Sequence, residues 1–180
     1  MAVERIFVTG VSGSGKTTLA RQIGELTGLP VHDLDYVARE GGGRGKETAD
    51  AQRVTEVNRI LESGRWVAEG VHLGWTQPLL EAADTVVWLD HVSFRRSGGR
   101  VLRRFVTGAL AEARMRRGRE RFLRFGDYAR RLRELLVSLP DTRTFPEQDL
   151  TKQLEGIRAN VVRCRSQADI ERFLKSLQPA

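Results

Sequence analysis

The stretch that most restricts this chain is "VTGVSGSGKTTLARQIG", residues 8 to 24. A strand-like run, "ERIFVTG", leads into it, and a helical pattern with Leu19, Ile23 and Leu26 on one face leads out. Between them, Gly10 to Thr17 satisfies G-x-x-x-x-G-K-[ST] at every fixed position. The small residues Gly10, Ser12, Gly13, Ser14 and Gly15 let the backbone curl until successive N–H groups point inward at a phosphate chain. The helix beginning near Lys16 adds the positive end of its dipole. Lys16 is placed to reach the β- and γ-phosphates, and the Thr17 hydroxyl to ligate Mg²⁺, with Thr18 completing the cradle. The expected cofactors are ATP and Mg²⁺. A glycine-rich turn without a ligand is the competing reading, and the flanking strand and helix argue against it.

The rest of the chain alternates short β-rich runs with amphipathic helices. "PVHDLD", "RWVAEG", "DTVVWLD" and "RANVVRCRS" read as further strands, apolar through the middle as buried parallel strands are. The first helix stops at Gly28 and Pro30. "ETADAQRVTEVNRILESG" is helical, with Val54, Val57 and Leu61 aligned and Gly64 closing it. The last helix, "QADIERFLKSL", carries Ile170, Phe173, Leu174 and Leu177 on one side, and Ser166 with Asp169 forms a capping box at its start. Strands separated by helices imply right-handed crossovers and a parallel sheet covered on both faces. The expectation is a three-layer α/β P-loop NTPase fold with a five-stranded parallel sheet. One unit is expected over 1–180, with a short arginine-rich helical lid at about 104–125.

Composition excludes several classes. No apolar run is long enough to span a bilayer, and "MAVERIFVTG" lacks the basic and apolar regions of a signal peptide. Cys164 is the only cysteine, so an internal disulfide is impossible and a reducing cytoplasmic setting is the default. Cys164 itself reads as a small buried residue of a late strand. His32, His72 and His91 have no metal-ligand spacing.

A P-loop at the start of a short chain, followed by "HDLDY", "WVAEG", "ADTVVWLD", "RVLRR" and "RSQADIERFL", resembles the adenylate-kinase-like nucleoside and nucleotide kinases. Within that group it is most similar to the bacterial DNA topology modulation (FlaR-type) proteins. Asp33 and Asp35 lie at the carboxyl end of the second strand, where ligands sit in open α/β sheets, and strand alternation would point both the same way. The resemblance implies that an acid here approaches Mg²⁺ or orients the acceptor hydroxyl. Capping of the next helix is the alternative for either. Arg39 falls where an adenylate kinase places an acceptor-phosphate arginine, with a solvated arginine as the other reading. Glu69-Gly70 matches the Asp-Gly of nucleotide kinases: the acid would hold a magnesium-bound water, and the glycine would let the acceptor approach. The chain then reads "VHLGW" rather than an aromatic, a proline and an arginine, so the usual grip on a nucleoside monophosphate is missing. Asp90 closes a strand that resembles a second magnesium-binding motif, or simply starts the next helix.

Residues 91 to 133 hold fourteen arginines, no lysine and three acids. Arg100 and Arg104 are four apart and would share a helix face. In the resembling kinases such a pair opens the lid and contacts the triphosphate, neutralising charge on the transferring phosphoryl group. Arg114, Arg116, Arg117, Arg119 and Arg121 fall in the lid itself. The same block admits nucleic-acid binding through phosphate contacts, although no recognised nucleic-acid motif accompanies it. The leading expectation is a kinase that transfers the γ-phosphoryl group of Mg-ATP to a small acceptor. Lys16, Asp33, Arg100 and Arg104 would be catalytic, and Asp33, Asp35, Arg39 and Gly70 would line the acceptor. Thr17, Asp33 and Glu69 would serve the metal. A P-loop ATPase switch and a nucleotide-dependent DNA-binding protein are the alternatives. No guanine-reading motif is present, since "TKQL" at 151 to 154 lacks the aspartate.

Overall fold

The computed structural model describes residues 3–11, 13–39, 47–70, 74–90, 154 and 156–178. In chain order these form β1 (Arg5–Gly10), α1 (Lys16–Thr27), β2 (Val31–Asp33), α2 (Leu34–Ala38) and α3 (Asp50–Glu62). They continue through β3 (Trp66–Glu69), α4 (Gln77–Ala82), β4 (Thr85–Leu89), β5 (Asn160–Cys164) and α5 (Gln167–Ser176). The five strands make one parallel sheet in the order β2-β3-β1-β4-β5. The expected lid at 104–125 lies outside the described residues.

Alternation along the strands builds the two outer layers. Ile6, Val8, Val67, Val87 and Leu89 face one side, where Leu19, Ala20 and Ile23 of α1 and Ile170 and Phe173 of α5 cover them. Phe7, Trp66, Ala68, Val86 and Trp88 face the other, against Val57 and Ile60 of α3 and Leu79 and Leu80 of α4. Both faces are dry, and so β1, β3 and β4 are apolar nearly throughout. Cys164 is fully buried in β5, as its context suggested. The register aligns the carboxyl ends: Asp33 lies beside Glu69, Val8 beside Glu69, Gly10 beside Leu89, and Leu89 beside Cys164.

Three expectations from the sequence need correction. Leu26 is 40% exposed, because the buried stripe of α1 is centred between Leu19, Ala20 and Ile23 and leaves Leu26 on its flank. Val54 is 53% exposed. The stripe of α3 runs instead through Arg53, Val57 and Ile60, at i, i+4 and i+7, with the Arg53 side chain only 12% exposed. Third, β2 stops at Asp33 and the chain turns directly into α2, so Asp35 lies in a helix rather than in the strand. The capping box does form. Ser166 Oγ accepts the Asp169 N–H at 3.2 Å while the Asp169 carboxylate accepts the Arg165 N–H at 3.0 Å and the Ser166 hydroxyl proton at 2.8 Å. Gly64, with φ 70°, follows the end of α3 in the left-handed conformation that favours glycine. No helix among the described residues is long and apolar enough to cross a membrane.

The opposite edge of the sheet is held by one carboxylate. Asp84, just before β4, accepts the N–H groups of Glu4 and Arg5 and a two-point bond from the Arg5 guanidinium. These bonds fix where β1 starts relative to β4. The Arg5 guanidinium, and then the two backbone N–H groups, hold the Asp84 carboxyl below its usual range. A depressed carboxyl stabilises the fold above the unfolded-state value and ceases to do so as pH falls through the folded one. Asp84→Asn is therefore expected to lower stability by about 1 kcal/mol at neutral pH, a figure discounted for partial exposure. In urea unfolding the difference should shrink towards pH 3, and a gap that stays constant with pH would contradict this account.

Candidate active site

The glycine-rich loop leaves β1 under severe steric restriction. Gly10 has φ 149°, and a side chain there would begin 2.7 Å from the Leu89 carbonyl oxygen, so the loop is pressed against the end of β4. Gly13 and Gly15 follow with φ 77° and 103°. These positive values turn the chain so that α1 starts at Lys16 with its amino end directed back over the carboxyl edge of the sheet. The Ser14 N–H closes the turn on the Val11 carbonyl at 3.1 Å. The Ser14 hydroxyl is buried without a hydrogen-bond partner among the described residues, as a donor facing an anion would be. Ser12 lies outside the described residues, and Thr18 is exposed on α1.

Lys16 is 8% exposed, and its Nζ donates to the Val11 carbonyl at 3.2 Å, which folds the side chain back across the loop. One residue on, the Thr17 hydroxyl donates to Glu69 Oε1 at 2.5 Å. This bond ties α1 to the end of β3. Glu69 is 2% exposed. Burial pushes its carboxyl up, and the neighbouring charges of Asp33 and Asp35 push the same way. The Thr17 bond and the Lys16 charge oppose them. The loop thus sets a hydroxyl, an ammonium and a buried carboxylate side by side, with two further acids within electrostatic reach.

Asp33 ends β2 and caps α2. Its Oδ1 accepts the Asp35 N–H at 2.9 Å and the Tyr36 N–H at 3.4 Å. Both bonds use one oxygen, and Oδ2 takes no part in them. Asp35, in the first turn of α2, is exposed. Arg39 follows α2 as an exposed residue whose backbone bridges to Glu47 in antiparallel fashion. Gly70 is buried, its N–H bonded to the Val8 carbonyl at 3.1 Å, and a Cβ there would meet Leu34 Cβ at 3.0 Å. The small size of Gly70 thus lets α2 pack onto the end of β3. Arg100, Arg104 and the arginines 114–121 lie outside the described residues, as do His72 and His91. Asp90 is held by Arg163, whose Nε donates to Oδ2 at 2.7 Å and whose Nη2 pairs with the same oxygen at 2.6 Å, while its guanidinium lies 4.0 Å over the Trp88 ring.

The donor set matches a magnesium nucleotide. Among the described residues no three metal-ligating side chains converge, so no all-protein cage exists. Mg²⁺ characteristically takes one or two carboxylates or a hydroxyl and leaves its other positions to phosphate and water. Thr17 and Glu69 supply hard oxygens beside the glycine-rich loop, and a cation there would offset the cost of burying the Glu69 charge.

No protein-family model and no curated protein matches the sequence. Solved structures do match along nearly the full length. A gluconokinase from Sinorhizobium meliloti 1021 is 20% identical over 97% of this chain and 95% of its own, with a TM-score of 0.51. Shikimate kinase from Acinetobacter baumannii is 18% identical over 97% and 91%, TM-score 0.51. Shikimate kinase from Bacteroides thetaiotaomicron is 16% identical over 98% and 96%, TM-score 0.52. The shared fold is that of P-loop small-molecule kinases. At these identities the likeness is one of architecture.

Two outcomes follow from the site. Gly10→Ala forces a Cβ into the Leu89 carbonyl at positive φ, whereas Gly15→Ala meets only the conformational strain. Gly10→Ala should therefore lower the urea midpoint by more than Gly15→Ala, which should cost about 1–2 kcal/mol; equal losses would contradict the packing argument. Second, a carboxyl raised by burial weakens the fold as pH climbs from its unfolded to its folded value. Glu69→Gln removes that penalty while keeping an acceptor for Thr17, so the ligand-free variant should melt higher than the parent at neutral pH. A lower melting temperature would show that the charge of Glu69 stabilises the resting fold.

Proposed function

We propose that the protein is an ATP-dependent small-molecule kinase, transferring the γ-phosphoryl group of Mg-ATP to a hydroxyl of a small acceptor. The observation that carries this reading is the Thr17–Glu69 hydrogen bond at the mouth of the loop, with Lys16 beside it and Asp33 at the next strand end. Thr17 and Glu69 would hold Mg²⁺, which would supply positive charge against the phosphates of the bound nucleotide. Lys16 would release Val11 and turn to the β- and γ-phosphates. The acceptor would enter beyond β2 and β3. There Asp33, its Oδ1 committed to the cap, would take the acceptor's hydroxyl proton on Oδ2 as the oxygen attacks phosphorus and the bond to the bridging oxygen breaks.

The fold shared with gluconokinase and shikimate kinases supports a small hydroxylated acceptor. Within that fold, the sequence favours an adenylate-kinase-like subtype near the FlaR-type proteins. Arg100 and Arg104 would complete the site by closing over the triphosphate. The DNA-binding alternative draws on the arginine block and on the resemblance to DNA topology modulation proteins, and no feature of the described residues favours it.

The test is ADP release from Mg-ATP against gluconate, shikimate, nucleosides, nucleoside monophosphates and sugars. One acceptor should stimulate release strongly, and Lys16→Ala should reduce that rate by at least about a hundredfold. Turnover that ignores every acceptor would replace the kinase reading with an ATPase. No turnover, joined to salt-sensitive DNA binding, would favour the nucleic-acid reading.

A further inference from the structure

Arg53 is a charged residue in an apolar place. It takes the position on α3 that continues the buried stripe of Val57 and Ile60, and its side chain is 12% exposed. Charged side chains are seldom buried this far unless they are held. Arg53 is held from separate segments. Nη2 reaches Glu47 at 3.0 Å and Nη1 reaches Asp50 at 3.4 Å, and the guanidinium lies 5.9 Å from the centre of the Trp75 ring. The two acids are themselves solvent-facing, at 75% and 96% side-chain exposure, so the guanidinium sits beneath them and not out in water with them.

The segments it joins are the ones that would wall the acceptor. Glu47 bridges to Arg39 at the end of α2, and the Thr48 N–H bonds to the Ala38 carbonyl at 3.0 Å. Trp75 lies in the turn immediately before α4. The strands are parallel, so the start of α3 and the start of α4 both lie at the carboxyl edge of the sheet, on the β2–β3 side. Arg53 contacts both walls through charge: Glu47, which bridges to the end of α2, and Trp75, in the turn before α4.

We propose that Arg53 is a positioning residue that sets the spacing between these two walls, and thereby places the acceptor relative to Asp33 and Glu69. The acceptor role rests on the kinase reading above; the strut itself does not. Nη1 and Nη2 are engaged by Asp50 and Glu47, while Nε is buried without a hydrogen-bond partner among the described residues; in this proposal Arg53 acts through Trp75 and Glu47. A wall displaced by about 1 Å is enough to lower acceptor turnover by up to about a hundredfold. The phosphate loop lies on β1 and α1 and is not spanned by this contact, so ATP handling should be spared.

The protein contains three tryptophans, Trp66, Trp75 and Trp88, so ¹⁹F NMR of full-length protein made with 5-fluorotryptophan tests the strut without any acceptor. Trp75→Phe assigns the Trp75 signal. Arg53→Met and Glu47→Gln should each shift it, while the signals of Trp66 and Trp88, in the core, stay in place as evidence of folding. A Trp75 signal unmoved by Arg53→Met overturns the strut. With whichever acceptor the ADP-release panel yields, Arg53→Met should lower acceptor kcat/KM about ten- to a hundredfold and leave the KM for ATP within about twofold. Arg53→Lys keeps the charge but not the flat, forked contact, and should recover part of that loss. Equal losses for ATP and acceptor would overturn the positioning role. So would a loss confined to anionic acceptors, since that would make Arg53 a direct contact. If the wild-type protein turns over no acceptor, the kinase reading falls and the acceptor role with it, and a shifted Trp75 signal then supports the strut alone.

Discussion

The contact between Gly10 and the Leu89 carbonyl governs how the rest of the chain is disposed. Strand β1 is hydrogen-bonded on both sides, to β3 and β4, and cannot bend before its end. At Gly10 it must leave the sheet within a space that admits no side chain. The positive φ values at Gly13 and Gly15 then reverse the chain so that α1 runs back along the sheet face built by Ile6, Val8, Val67 and Val87. The turn carries Lys16 and Thr17 to their places because α1 starts there, and it sets Thr17 against Glu69 because β3 is the neighbour of β1. If the loop takes a phosphate, as proposed, a shape already fixed by these glycines would spare binding the cost of organising it.

The site also shows opposed demands on one group. Glu69 would be more comfortable neutral, buried at the strand end with Asp33 and Asp35 nearby. The single hydroxyl of Thr17 and the charge of Lys16 offset only part of that burden. A protein selected for stability alone would place an apolar side chain there, as it does at the register-matched Val8 on the adjacent strand. The retained carboxylate makes sense if a divalent cation visits, because the same burial that penalises an isolated charge strengthens its attraction to a metal. Resting-state strain and magnesium affinity are then two readings of one geometry.

How much of this was visible beforehand depends on the length scale of each signal. The phosphate loop was legible because its constraints are local: glycines where φ must be positive, a lysine and a threonine where a helix must begin. The layered sheet was legible because strands buried on both faces are nearly continuous apolar runs, and Ser166 with Asp169 announced its helix by a short-range exchange of hydrogen bonds. Asp35 departs from its expected place on the strand for an equally local reason. Alternation assumes the strand continues, and Asp33 ends it by capping the next helix. Two acids spaced for one face of a strand therefore take different environments, one at the strand end and one on an exposed helical turn.

Long-range pairings left no such trace. The sheet order, the burial of Glu69 and the partners of Asp84 and Asp90 depend on strands far apart in sequence, where nothing in the residue pattern names the neighbour. Arg53 is the sharpest case. An apolar count along α3 selects Val54 and passes over the arginine one residue earlier, since periodicity arguments treat charge as a mark of solvent. What reverses the assignment is Trp75, 22 positions later in the sequence, together with the acids at 47 and 50 that meet the guanidinium from above. A charge in a core stripe is stable only when the tertiary structure brings such partners to it.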